Sequence, residues 1–211
     1  AALHGFFEEQ GSEVEGEQLD VMEVVEALPA LMEKMDDLEI TTIDDVTMDG
    51  WIVKPNNMDP KKKYPILFYF YSEPAGTTVV DRYGVGKNRL YDGDMQEDGY
   101  VYVSFDGRGT PSPKGREWRK AIYRNIGRIN VRDMAMGAKA VFEKYDFIDT
   151  SRVAVHGWSG GGTATLNCLF QYPEIFHTGI AVAAVANQLT YDNIYQERYM
   201  GCLLYTSPSP R

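Results

Sequence analysis

The chain has 211 residues, 44% of them hydrophobic, and a formal net charge of −10, which suits one medium domain with a sizeable core and excludes a disordered chain. Residues 1–60 carry 16 acidic and 2 basic side chains, whereas residues 61–211 carry 15 and 19; an acidic leader, and no Lys/Arg patch with interleaved aromatics, argue against a nucleic-acid partner. No apolar run reaches the roughly 18 residues of a membrane segment, and Cys168 and Cys202 have neither metal-ligand spacing nor a disulfide framework, so they identify no compartment.

The N-terminus, AALHGFFEEQ, lacks Met and both parts of a signal peptide, and the chain is expected to be a fragment. Residues 8–37 begin polar and then place Leu19, Met22, Val25 and Leu28 at helical spacing, interrupted by Pro29, which predicts a helix leading into the domain. LEITTI (38–43) and MDGWIVKP (48–55) alternate as two strands around the turn DDVT. YPILFYFY (64–71) and YVYVSFD (100–106) are continuous apolar runs, as expected of strands buried on both faces. From Asn130 to Tyr145, Val131, Met134, Ala135, Ala138, Phe142 and Tyr145 form one helical stripe. RVAVHG (152–157) is another strand, GGTATLNCLFQY (161–172) a helix and TGIAVAAV (178–185) a further strand. Strands alternating with helices imply an α/β fold, a mostly parallel sheet with helices on both faces.

Gly157-Trp158-Ser159-Gly160-Gly161 is a G-x-S-x-G pentapeptide set between a strand and a helix. Such an elbow needs a sharp turn that lifts the serine above the sheet in a strained conformation, with small residues where the backbones crowd. Ser159 is thus the candidate nucleophile, and Gly160 can offer its N–H to a developing oxyanion at the positive end of the following helix. A glycine-rich βα turn of purely structural value is the competing reading.

A serine nucleophile needs a base and a carboxylate that orients it, in the chain order Ser, Asp or Glu, His for this sheet arrangement. His4 and His156 precede Ser159, and His156 suits a supporting role in its strand. His177 follows by only 18 residues at the start of the next strand, with no room for an intervening acid strand. The chain is therefore expected to hold the nucleophile but not its Asp and His.

GWSGGG, followed by TGIAVAAVANQLTYDNIYQERYMG, with KKYPILFYFY and VSFDGRGT upstream, resembles the dipeptidyl peptidase IV-like serine peptidases of the prolyl oligopeptidase family. The similarity covers roughly residues 38–201, and the YDxxYxERYMG run carries it more specifically than the serine motif. The resemblance implies a truncated α/β-hydrolase fold over 38–201, with residues 1–37 as the exit of a preceding β-propeller and an acidic linker helix. It also implies a peptide substrate, cleaved after proline or alanine to release N-terminal dipeptides, a parent able to form a homodimer, and no cofactor or metal. Ser159 would be the nucleophile, with Gly160 and the Tyr71 hydroxyl completing the oxyanion hole. Tyr191 and Tyr195 would line the pocket from one face of a short helix, Val185 would be its apolar wall, and Arg198 would lie near the substrate carbonyl. Read alone, the tyrosine pair suits a core, Tyr71 a packed strand end, and Arg198 an ion pair with Glu197.

Two positions depart from the family pattern: Gly160 stands where the best-known members have tyrosine, and SEPAG (72–76) replaces a glycine-rich turn. Beyond Gly201 the sequence leaves the family, and residues 202–211, CLLYTSPSPR, are expected to be a non-native tail. Another α/β-hydrolase, such as an acylaminoacyl peptidase or esterase, and an inactive hydrolase-like interaction module are the alternatives.

Overall fold

A computed structural model of the chain describes residues 35–82 and 85–201. In chain order the elements are β1 (Met35–Thr41), β2 (Thr47–Val53), β3 (Tyr64–Tyr69), β4 (Val101–Phe105), α1 (Gly115–Lys120), α2 (Ile129–Lys144), β5 (Ile148–Trp158), α3 (Gly160–Gln171), β6 (Thr178–Val182), a single 3-10 turn (Gln188–Thr190) and α4 (Asn193–Met200). The helix expected within residues 8–37 falls outside the described residues except for its last three positions. Met35, Asp36 and Asp37 are strand rather than helix, because they pair with Val53, Ile52 and Trp51 of β2. The ladder satisfies backbone groups of a segment too polar to announce itself as a strand.

The sheet has the order β1-β2-β4-β3-β5-β6. β1 and β2 form an antiparallel hairpin, with Asp45 at φ 59 in its turn, and β2 runs antiparallel to β4. β4, β3, β5 and β6 are parallel to one another, so their C-terminal ends share one edge. In such a sheet that edge is where loops can gather side chains into a site.

Alternation along the strands divides the core in two. Ile66 and Phe68 of β3, Val101, Val103 and Phe105 of β4, and Val153 and Val155 of β5 face the side covered by α2 and α3. There the predicted stripe of α2 is buried at Val131, Met134, Ala135 and Ala138, Phe142 and Tyr145 at its C-terminal end are only half-buried, and Val141, outside the predicted stripe, is buried as well. Each large apolar side chain so buried contributes about 1.5–3 kcal/mol before entropic losses. On the opposite face Trp51, Val53 and Tyr102 pack with Leu67, Tyr69, Val79, Val85 and Met95. Asp106, 2% exposed, anchors the covering segment by accepting hydrogen bonds from the Thr78 and Val79 amides and the Thr78 hydroxyl. The strand expected over 178–185 is shorter than predicted and ends at Val182. Ala183 takes φ 48, and the Thr163 hydroxyl holds both the N–H and the carbonyl of Val185, which removes that residue from any ladder.

Candidate active site

The candidate site is built around the junction of β5 and α3. Trp158 ends the strand, Gly160 begins the helix, and Ser159 between them adopts φ 57, ψ −117. This region is strongly disfavoured for a residue with a Cβ, so surrounding contacts must hold it. The Ser159 N–H donates to the Val182 carbonyl at 2.9 Å, and its carbonyl accepts from the Thr163 N–H at 3.0 Å. Glycine is required on both sides by space. A Cβ at Gly157 would lie 2.4 Å from the Phe70 carbonyl oxygen and from Gly161, and one at Gly161 would lie 2.2 Å from that same oxygen. Gly160, as the first residue of α3, has an N–H that no helical carbonyl can accept.

The close approach of Gly161 to Phe70 and Tyr71 sets the C-terminal end of β3 against the elbow. Tyr71 is half-buried there, and burial first, then the nearby Glu73 carboxyl, raises its phenol above the ordinary value, so it stays protonated and able to donate. After Tyr71 the chain kinks at Ser72, which has φ 57 and is 1% exposed. Asn130 at the start of α2 fixes the kink: its Nδ2 donates to the Ser72 carbonyl at 2.7 Å, and its Oδ1 accepts from the Gly127 N–H at 2.8 Å. The kink turns Glu73 back toward Gly160.

Val185 is held against the first turn of α3 by Thr163, beside the elbow. Tyr191 and Tyr195 meet edge to face with ring centroids 5.3 Å apart, but they do not share a helix. α4 starts at Asn193 with Asp192 as its cap, the Asp192 carboxylate accepting from the Tyr195 N–H at 2.9 Å, so Tyr191 lies ahead of the helix. A third ring extends the array, Tyr199 at 4.8 Å from Tyr195. The Tyr195 hydroxyl donates to Glu73 Oε2. Burial and that carboxylate together push the Tyr195 phenol far above its ordinary range.

Arg198 is exposed and packs over Tyr199, lining a cavity of about 510 Å³ with Pro74, Arg116, Arg119, Lys120 and Tyr123. Among the described residues no ion pair joins it to Glu197.

Neither described histidine accompanies Ser159 as a base. His156 is 4% exposed, stacked on Tyr69 with centroids 5.0 Å apart, and its Nε2 shares a 3.0 Å hydrogen bond with the Tyr102 hydroxyl. Burial holds its pKa down to about 4. His177 gives its N–H to the Val153 carbonyl at the opposite end of the sheet. β6 then runs parallel to β5 over the five residues Thr178–Val182, so roughly 16 Å of strand separates it from the elbow. Among the described residues no group of three or more His, Cys, Asp or Glu side chains could hold a metal, and no helix is long and apolar enough to cross a membrane.

A strained serine at a strand-to-helix elbow of a mostly parallel sheet is now joined by sequence similarity. The model of the prolyl oligopeptidase family matches residues 94–207, more than half of the chain. The chain belongs to the prolyl oligopeptidase family. It is 41% identical over 175 residues to a protein of Botryotinia fuckeliana named as a dipeptidyl-aminopeptidase B, covering 80% of this chain and 18% of that one. It is 38% identical over 156 residues to human dipeptidyl peptidase 8, covering 74% and 17%. The crystal structure of Porphyromonas gingivalis dipeptidyl peptidase 4 superposes with a TM-score of 0.75 at 34% identity, covering 90% of this chain and 26% of that one. The fold is that of an α/β-hydrolase. The chain spans about a fifth of the length of the curated relatives it matches.

Sequence reasoning missed Asn130, Thr163, Tyr199 and Glu73. Asn130 and Thr163 were hidden inside helical patterns. Tyr199 stood in plain i, i+4 relation to Tyr195, a signal that could have found it. Glu73 was visible only as part of a departure from the family pattern.

Proposed function

We propose that this chain carries the nucleophilic part of a serine peptidase site that forms an acyl-enzyme and releases N-terminal dipeptides after proline or alanine. The observation that supports it most is the backbone of Ser159, φ 57 and ψ −117, between a strand and a helix that only glycines allow to approach so closely. Strain of this kind persists where a hydroxyl must be presented above a sheet.

Ser159 Oγ attacks the scissile carbonyl, and the negative charge that develops on the carbonyl oxygen is met by the Gly160 N–H at the N-terminus of α3 and by the Tyr71 hydroxyl. Both donors are neutral and fixed in place, which is what oxyanion stabilisation requires. Val185, Tyr191 and Tyr195 enclose the side chain that precedes the scissile bond. Arg198 is assigned to substrate binding at the outer rim, beside Tyr199. The general base is assigned to a histidine oriented by an aspartate elsewhere in the parent polypeptide, together with the β-propeller that the family resemblance implies. His156 is buried with Nε2 committed to Tyr102, and His177 stands at the wrong end of the sheet.

A fluorophosphonate probe on the full-length parent tests this reading. Labelling of Ser159 that disappears in Ser159→Ala is expected, and a parent that hydrolyses Ala-Pro amides without labelling Ser159 contradicts it. Under the same proposal the 211-residue chain turns over slowly, since a triad without its base loses about three to six orders of magnitude in rate.

A further inference from the structure

Glu73 is a buried acid that the proposed reaction does not use. It is 4% exposed, and among the described residues no cation pairs with it. The kink at Ser72 lays its side chain on the first turn of α3. A Cβ at Gly160 would lie 2.6 Å from Glu73 Oε2, 2.7 Å from its Cδ and 3.0 Å from its Cγ. Oε2 also accepts the Tyr195 hydroxyl. Glycine at position 160 thus leaves a volume that Glu73 fills, and the two departures from the family pattern explain each other. Burial raises the carboxyl above its ordinary pKa, opposed by the Tyr195 hydrogen bond.

We infer that Glu73 is a specificity-determining residue: with Tyr195 it forms the wall of the substrate pocket next to the nucleophile, and it limits the residue before the scissile bond to small side chains. The inference rests on the serine peptidase reading. A longer apolar side chain would have to push the carboxyl away from Tyr195, leaving a buried carboxyl oxygen and the hydroxyl of half-buried Tyr195 without partners. Glutamine at position 73 keeps both the volume and an oxygen that accepts from Tyr195, whereas alanine removes both.

The test uses the full-length protein and dipeptide amides with one N-terminal residue and Ala, Pro, Leu or Phe before the leaving group. Glu73→Ala is expected to raise the Leu-to-Ala ratio of kcat/KM about 10- to 100-fold, the scale on which a packed pocket discriminates side-chain size. Glu73→Gln is expected to retain the wild-type ratio. A ratio that Glu73→Ala leaves unchanged, or that both variants shift alike, overturns the inference. Fluorophosphonate labelling keeps the two readings apart: Ser159 labelled with an unchanged ratio removes the role of Glu73, while unlabelled wild-type Ser159 removes the peptidase reading. In that second case thermal unfolding decides on the wall itself. Gly160→Ala should lower Tm, and Glu73→Ala in the same chain should restore a large part of the loss; additive losses refute the packing.

Discussion

At the residue scale, Tyr71 is a half-buried and His156 a buried aromatic ring, and their neighbours give them opposite duties. Tyr71 is kept protonated by burial and by Glu73, so its hydroxyl is a donor across the neutral range. Under the proposed reading, replacing it with phenylalanine removes one oxyanion donor while keeping the ring against Gly76, and kcat of the parent is expected to fall about 10²–10³-fold with little change in KM. Stopped-time assays with an Ala-Pro amide read this directly, and an equal loss carried by KM would assign Tyr71 to binding instead. His156 is kept neutral, its pKa lowered from 6.5 to about 4 by burial. Between those values the unfolded chain binds a proton that the folded chain does not. The stability is therefore fully present above about pH 6.5 and is lost as pH falls toward 4, by roughly 3 kcal/mol in all. Glu73 acts with the opposite sign: its raised pKa favours folding below its ordinary 4.5 and loses that contribution as pH rises through the folded value. His156→Phe keeps the stack on Tyr69 but strands the Tyr102 hydroxyl. Urea unfolding across this pH window should show a lower plateau and a flatter acid slope, and an unchanged slope would clear His156 of the role.

At the element scale, the site depends on where chain segments stop rather than on where they run. Asn130, at the start of α2, carries no atom to the elbow, yet it holds the Ser72 carbonyl and the Gly127 N–H from a position that is 1% exposed. Asn130→Ala leaves the buried Ser72 carbonyl unpaired, at about 1–3 kcal/mol, deprives the half-buried Gly127 N–H of its partner, and frees the kink that aims Tyr71 and Glu73. Chemical unfolding should show the loss, and a wild-type midpoint would place the restraint elsewhere. The same point explains what was legible in the sequence. The strands at 64–71, 100–106 and 152–157 and the helix at 130–145 declare themselves because burial dictates their apolar periodicity, and the elbow because only glycine fits beside Ser159. β1 began earlier than its pattern, β6 ended sooner, and Tyr191 fell ahead of α4. Those boundaries are set by the Val53–Met35 pairing, by the Thr163 hydroxyl and by the Asp192 cap, which are tertiary contacts that periodicity does not encode. The join between Glu73 and Gly160 was illegible for the same reason, being a contact between residues 87 positions apart that neither local pattern requires.

At the scale of the whole molecule, the parallel part of the sheet ends at β6, which among the described residues pairs only with β5. An unpaired strand presents a row of backbone donors and acceptors to any other extended chain. β6 has little to discourage such pairing: TGIAV contains no charge and no proline, and Ile180 is 60% exposed. The opposite edge is better defended, since β1 carries Asp36, Asp37 and Glu39 and holds Lys54 in an ion pair with Asp36. Two copies of the 211-residue chain are therefore expected to associate through β6 rather than β1, despite the net charge of −10 that keeps them apart at long range. Screening that repulsion with salt should strengthen the association, because the Debye length shrinks to about 3 Å near 1 M salt while edge pairing is a short-range contact. Sedimentation velocity at rising salt should show a growing share of dimers and larger species. Ile180→Lys puts a charge on the exposed face of that strand and should return the chain to monomer. If Ile180→Lys associates as the wild type does, while a lysine placed on β1 abolishes the association, the contact lies at the other edge and the reading of β6 is wrong.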